Sequence, residues 1–347
     1  MESGMMQLAR VHGPGDVRLD AVGIPQAQAG EVLVRVAACG ICGSDLGYIA
    51  QGGLGGVEPL KEPLPIGHEF AGTIAAIGPG VEGLAVGMRV AVNPDHGFIG
   101  GGGPDGAMAP FIRVSDARIG ETLFPLADHV SFAQAALAEP LSVGLHALKI
   151  MQVQPQDKVA ILGAGPIGLC TVAMLRHMGV TDIAIFDRVD SRLERARALG
   201  AGLACNVGAE SMTQALTRFH GGGERFGAST VGTDVFVDCA GAPPALIEAF
   251  GIAKYRARIA IVALYKKPVP IDLWRMMANE IRMNGSIAMD RAAEFGEALA
   301  MIADSGQDLN PLISHEFDFS DFHAALSVAA DSDQSAKVML TFAEEAA

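Results

Sequence analysis

The chain has 347 residues, half of them apolar and 18% charged, with a net charge of −14. Its length suits two domains better than one, and its acidic balance argues against a nucleic-acid surface or an anionic membrane as partner. Five cysteines, at positions 39, 42, 170, 205 and 239, are few and odd in number, which argues against a disulfide-stapled secreted framework. The opening MESGMMQLARVHGPGDVRLD lacks an apolar signal core, and the most apolar stretch, VAILGAGPIGLCTVAMLRHMGV, is interrupted by Gly, Pro and Arg. A protein of the reducing cytoplasm, with no membrane span, is the expectation.

In chain order, the runs from Val32 to about Val114 are short and β-rich: EVLVRVAA, EFAGTIAAIG, MRVAV and APFIRV. Gly and Pro punctuate them, which predicts a small twisted sheet or barrel. After about Val143 the pattern changes. KVAILGAG is a buried strand, PIGLCTVAMLRHMG a helix, DIAIFD a strand and SRLERARALGA a helix, with TDVFVDCAG and RARIAIVAL as further strands. Such alternation predicts an α/β fold with a parallel sheet and right-handed crossovers. Beyond Gly285 the chain reads as helices around Glu294–Asp304 and Phe319–Ala330 and a last strand, KVMLTF.

GAGPIG places Gly163, Gly165 and Gly168 in the G-x-G-x-x-G spacing, after an apolar strand and at the start of a helix. Asp187 follows nineteen residues beyond Gly168, at the end of the next strand. That context is what a dinucleotide site requires: glycines for a tight turn and close approach of a pyrophosphate, and a helix N-terminus with free N–H groups. Asp187 accepts ribose hydroxyls and repels a 2′-phosphate, favouring NAD over NADP. Pro166, Ile167, Arg188 and Arg192 complete the candidate cofactor-binding set, although a guanidinium at Arg188 is also suited to a 2′-phosphate.

CGICGSDLGYI, from Cys39 to Ile49, contains a Cys-x-x-Cys pair. A structural zinc wants four ligands in close pairs, and a redox dithiol wants a thioredoxin-like context; neither is visible, so the two cysteines need not act together. PIGHEFAG brings His68 and Glu69, and LAEPLSVGLHAL brings Glu139. Cys42, His68 and one or both carboxylates would make a zinc site with an open position, whereas an adjacent His-Glu is more often a surface pair.

Taken together, CGICGSDL, GHEFAG, AEPLSVGLHAL and GAGPIG followed by Asp187 resemble the zinc-dependent medium-chain dehydrogenase/reductase family. Glu139 before Pro-Leu is similar to the polyol, threonine and butanediol dehydrogenase branch. The resemblance implies a GroES-like β-rich catalytic domain from residues 1–143 and 285–347, with a Rossmann NAD-binding domain, 144–284, between its parts. It implies Cys42 and His68 as zinc ligands, Glu69 as a ligand or an exchangeable one, and Glu139 as a ligand directly or through water. Asp45 would hydrogen-bond His68 and fix its tautomer. Ser44 would contact the substrate oxygen and pass its proton toward the nicotinamide ribose. Cys39 would be a packing residue.

Two departures stand out. The family commonly carries a relay histidine where this chain has Gly47; Tyr48, a water chain or His96 would have to replace it. The four-cysteine lobe that often holds a structural zinc is replaced by a glycine-rich stretch around GGGGPDG, so one catalytic zinc is expected. The implied activity is NAD-dependent oxidation of a secondary alcohol, diol or polyol to a ketone, and the reverse, by a homodimer or homotetramer associating through strands such as RARIAIVAL. The alternatives are a zinc-free quinone or enone reductase of the same superfamily and a non-catalytic nucleotide-binding protein. Leu46, Tyr48, Phe98, Ile99 and Met289 are candidate pocket residues. The tail segment SIAMDRAAEF shows no cluster of Arg and Asn to grip several hydroxyls, which tilts the expectation toward a less polar alcohol.

Overall fold

The computed structural model describes residues 4–55, 60–287, 291–304 and 306–343. Six parallel strands form one sheet in the spatial order Leu203–Asn206, Ile183–Asp187, Val159–Leu162, Val235–Asp238, Arg258–Ile261, Arg282–Gly285. The chain enters at Val159, winds outward one way, then returns to wind the other way. The reversal falls between Val159–Leu162 and Val235–Asp238, the place where open sheets of this kind take their ligands, at the carboxyl ends of the strands.

Strand alternation sorts the core into two layers. Val159, Ile161, Ile183, Ile185, Val235 and Val237 pack with buried residues of the helices Ala138–Ile150, Pro166–His177, Asp190–Ala198 and Ala292–Ala303. Ala160, Leu162, Ala184, Phe186, Phe236 and Ile259 pack with the helices Met212–His220 and Pro243–Ile252 on the other face. Continuous apolar runs such as VAIL result, because both faces are covered.

A second core lies under a largely antiparallel sheet built on the strand Val32–Ile41. Glu69–Ile77 and Phe111–Val114 pair with it from the N-terminal part of the chain. The last strand, Lys337–Thr341, also pairs with it, setting Val338 opposite Ile41 and Leu340 opposite Cys39. The chain end thus returns to within a residue of Cys42. Cys39 is fully buried among these strands, and burial raises its thiol pKa well above the ordinary value, consistent with a packing role.

Several elements are not evident from the sequence pattern. Met5–Gly13 and Asp16–Gly23 form a hairpin ahead of Val32, Gly222–Arg225 and Ala228–Val231 form another, and Ile313–Asp318 pairs with the last strand. Arg258–Ile261, within RARIAIVAL, is flanked on both sides, and Arg282–Gly285 forms the sheet edge. Local periodicity identifies a strand but carries no information about which neighbours cover it.

No helix among the described residues is long and apolar enough to cross a membrane.

Candidate metal and dinucleotide site

CGICGSDL bends at Cys42. The strand ends at Ile41, and Cys42 caps a helix, Gly43–Gln51, that closes on Gly52 in the left-handed conformation at φ 72°. Asp45 sits in the first turn and is completely buried. One carboxylate oxygen accepts the backbone N–H of Cys42 at 2.9 Å, and the other accepts that of Gly67 at 3.1 Å. This one side chain therefore ties the Cys42 segment to the His68 segment. Its Oδ1 also faces His68 Nδ1 at 3.5 Å, an ion-pair separation rather than a hydrogen bond.

His68 turns its other nitrogen, Nε2, toward Ser44 Oγ at 3.4 Å. Burial works against a charged imidazole here, but Asp45 and the Cys42 sulfur outweigh it and hold the His68 pKa well above the usual histidine value. One donor atom from each of Cys42, His68 and Glu69 lies within 4.8 Å of the other two. Glu69 is 1% exposed, and its Oε2 has no hydrogen-bond partner among the described residues. A buried, unpaired carboxylate oxygen is costly. A thiolate, an imidazole and a carboxylate together are a donor set suited to zinc, and the orphaned oxygen fits a bound cation.

Glu139 lies in the first turn of the helix Ala138–Ile150, outside this group of three. Its Oε1 is taken by Arg291 at 2.5 Å, and the same guanidinium reaches Asp95 at 3.2 Å. Glu139 and Arg291 are each 5% exposed. Arg291 belongs to the tail segment that, as sequence, lacked a polar cluster. It pairs with Glu139, whose charge in turn acts on Glu69, and no local pattern around DRAAEF marks it. Lys337 was missed for the same reason: its Nζ lies 2.5 Å from Glu69 Oε1 and 3.2 Å from the carbonyl of Ile41. Burial opposes its charge, but Glu69 prevails and holds the Lys337 pKa above the ordinary lysine value.

The relay position is open. A Cβ on Gly47 would meet nothing within 4 Å. Tyr48 stands one helical turn beyond Ser44; burial raises its pKa, opposed by His68 and by the Ser44 hydroxyl beside it. His96 instead faces Asp116 at 3.5 Å near the surface. Of the candidate pocket residues, Leu46 and Tyr48 pack against the second core, Ile99 is buried and Phe98 is 55% exposed. Met289 lies outside the described residues.

The glycine turn is built as a close approach requires. Gly163 sits at φ 92°, and a Cβ on Gly168 would lie 1.9 Å from the Gly163 carbonyl oxygen. Pro166 and Ile167 open the helix Pro166–His177, with Gly165 as its N-cap. The Asp187 carboxylate accepts N–H groups from Ala164 at 2.6 Å, Arg188 at 2.7 Å and Val189 at 3.0 Å, so it is fixed at the mouth of the turn. The Arg188 residue is exposed. Arg192 is partly buried, and its Nε donates to the carbonyl of Ser335 at 2.9 Å.

Comparison with known proteins matches the same two regions. Residues 28–122 match the family described as alcohol dehydrogenase GroES-like domain, and residues 166–304 match zinc-binding dehydrogenase. Human sorbitol dehydrogenase is 29% identical over 326 residues, 88% of each chain. (R,R)-butanediol dehydrogenase of Bacillus subtilis is 30% identical over 306 residues, 81% of this chain and 84% of that one. A solved alcohol dehydrogenase from Escherichia coli CFT073, in complex with NADH, superposes with a TM-score of 0.83 at 28% identity, covering 97% of this chain and 99% of that one. With this architecture and these relatives, the chain belongs to the zinc-dependent medium-chain dehydrogenase/reductase family and is an enzyme of the alcohol dehydrogenase type.

Proposed function

We propose that this enzyme uses one catalytic zinc and NAD to oxidise a secondary alcohol, diol or polyol to a ketone, and to run the reverse reduction. The observation that carries the reading is the convergence of Cys42, His68 and Glu69, with an orphaned Glu69 oxygen among them. These three residues would hold the metal, which when bound supplies a Lewis acid that makes the substrate hydroxyl more acidic.

The remaining work falls to the chain. Ser44, beside His68 Nε2, would accept the hydroxyl proton and pass it outward. Tyr48, on the same helix face one turn later, stands nearer to that path than His96. Gly163, Gly165 and Gly168 admit the pyrophosphate, and Asp187 would read the adenosine ribose, which favours NAD. Glu139, Arg291 and Asp95 supply polar groups beside the metal group, which supports a substrate with more than one hydroxyl over the less polar alcohol expected from the tail sequence.

The domain division at about residues 144–284 is part of this reading, supported by the parallel sheet lying wholly within 159–285. So are a cytoplasmic setting and self-association. Among the described residues the edge strand Arg282–Gly285 has an unpaired side, and the helix Leu273–Ala278 that precedes it exposes Leu273 at 72%, Trp274 at 60% and Met277 at 67%. An open strand edge beside apolar surface favours a second copy.

The test is metal analysis of the purified chain combined with NADH absorbance across secondary alcohols, vicinal diols and polyols. One zinc per chain and turnover of at least one class is the expected result. Turnover of quinones or enones by metal-free protein would replace this reading with a zinc-free reductase. Bound zinc and NAD without turnover of any substrate would leave a nucleotide-binding protein.

A further inference from the structure

We propose that Arg192 is a positioning residue that couples dinucleotide binding to metal binding, through Ser335, Lys337 and Glu69. The inference rests on the zinc and NAD reading above and goes beyond it.

The helix Asp190–Ala198 begins three residues after Asp187 and is hydrogen-bonded along one side to the end of the chain. Ser191 Oγ donates to the carbonyl of Asp333 at 3.4 Å, and Arg192 Nε to that of Ser335 at 2.9 Å. Arg195 Nη1 donates to Pro311 and Ile313 carbonyls at 3.0 and 3.1 Å. Only Arg192 also faces the glycine turn: its Nη1 lies 3.8 Å from where a Gly165 Cβ would be. Burial lowers the Arg192 pKa, while Asp187, Asp333 and Asp331 pull the other way. One planar guanidinium therefore presents donors to the pyrophosphate turn on one side and to Ser335 on the other, a geometry that a lysine ammonium does not reproduce.

The segment it holds runs from Ser335 to the metal group. Ser335 is 3% exposed, its hydroxyl donates to the carbonyl of Asp331 at 2.9 Å, and the Ala336 N–H donates to Ser314 Oγ at 3.0 Å. Two residues after Ser335, Lys337 grips Glu69 Oε1 and the carbonyl of Ile41, the residue before Cys42. With Oε1 held, Glu69 offers Oε2 to the metal. An anionic dinucleotide beside Arg192 immobilises the guanidinium and with it Ser335 and Lys337. A metal then meets a carboxylate whose ordering cost is already partly met, and the linkage is reciprocal.

The test compares Zn²⁺ affinity, by chelator competition, with and without saturating NAD⁺, in the wild-type protein and in Arg192→Lys. In the wild type NAD⁺ should tighten Zn²⁺ binding roughly five- to tenfold, and Zn²⁺ should tighten NAD⁺ binding by the same factor. In Arg192→Lys the coupling ratio, taken between Zn²⁺ affinities measured in the variant with and without saturating NAD⁺, should fall to about one. The Co²⁺-substituted wild-type protein should change its visible absorption on adding NAD⁺, and the cobalt variant should not. A coupling ratio of one in the wild type, or an undiminished ratio in the variant, overturns the proposal. Failure to bind either Zn²⁺ or NAD⁺ would overturn the site reading itself, a distinguishable result.

Discussion

The Lys337 ammonium lies 2.5 Å from Glu69 Oε1, and both residues are at most 2% exposed. A buried ion pair gains little over apolar packing, but removing one partner strands the other charge at a cost of about 3–5 kcal/mol. Lys337→Met should therefore destabilise the chain by about that amount in chemical denaturation. Lys337→Met combined with Glu69→Gln should cost less than Lys337→Met alone, since no charge is left uncompensated. A double variant as unstable as the sum of the two singles would show that the pair is not coupled.

Cys42→Ser should abolish stoichiometric zinc and dehydrogenase turnover while leaving far-UV circular dichroism unchanged. The thiol lies at the helix cap outside the apolar core, and Asp45 continues to accept the residue-42 N–H. Full metal content in the variant would move the zinc elsewhere.

Asp187→Asn should weaken NAD⁺ binding and narrow the preference over NADP⁺. Hydrogen bonds to a charged group contribute about 1.5–3 kcal/mol, roughly a ten- to hundredfold loss in affinity. Asparagine is the better probe than alanine, because the carboxylate also satisfies three backbone N–H groups of the turn. An unchanged NAD⁺/NADP⁺ ratio by titration calorimetry would show that Asp187 does not read the ribose.

His220 supplies a pH dependence away from the site. It is 2% exposed, with Nδ1 2.9 Å from Thr233 Oγ1, and burial lowers its pKa from 6.5 to about 4. As pH falls from about 6.5 toward about 4, the unfolded chain takes up a proton that the folded chain refuses, so stability declines through that window. The loss should be on the order of 3 kcal/mol. His220→Gln should flatten this part of the curve relative to wild type in urea titrations at stepped pH. Parallel curves would assign the acid sensitivity to other groups.

The candidate site was legible in the sequence where chemistry and local geometry share a short segment. Cys42, Ser44 and Asp45 sit on one cap and turn, and the three glycines and Asp187 sit on one strand–turn–helix–strand unit. Glu139 was legible as a residue but not in its pairing, because nothing near LAEPLSVG announces a guanidinium from position 291. The hairpin Gly222–Val231 escaped notice because GGGERFGASTV has no apolar alternation to mark two strands.

By itself the sequence determined the strands Val159–Leu162, Ile183–Asp187, Val235–Asp238 and Arg258–Ile261 and the helices Pro166–His177 and Asp190–Ala198, since periods of two and 3.6 residues are local properties of a backbone packed on a core, but not the short strands Leu203–Asn206 and Arg282–Gly285. It also determined the donor types brought by Cys42, His68 and Glu69. Only the tertiary structure decided that Arg258–Ile261 is internal and Arg282–Gly285 the edge, and that Lys337 returns to Glu69. Those outcomes depend on pairings across hundreds of residues, where the burial of each partner is set by strands and helices that no short window contains.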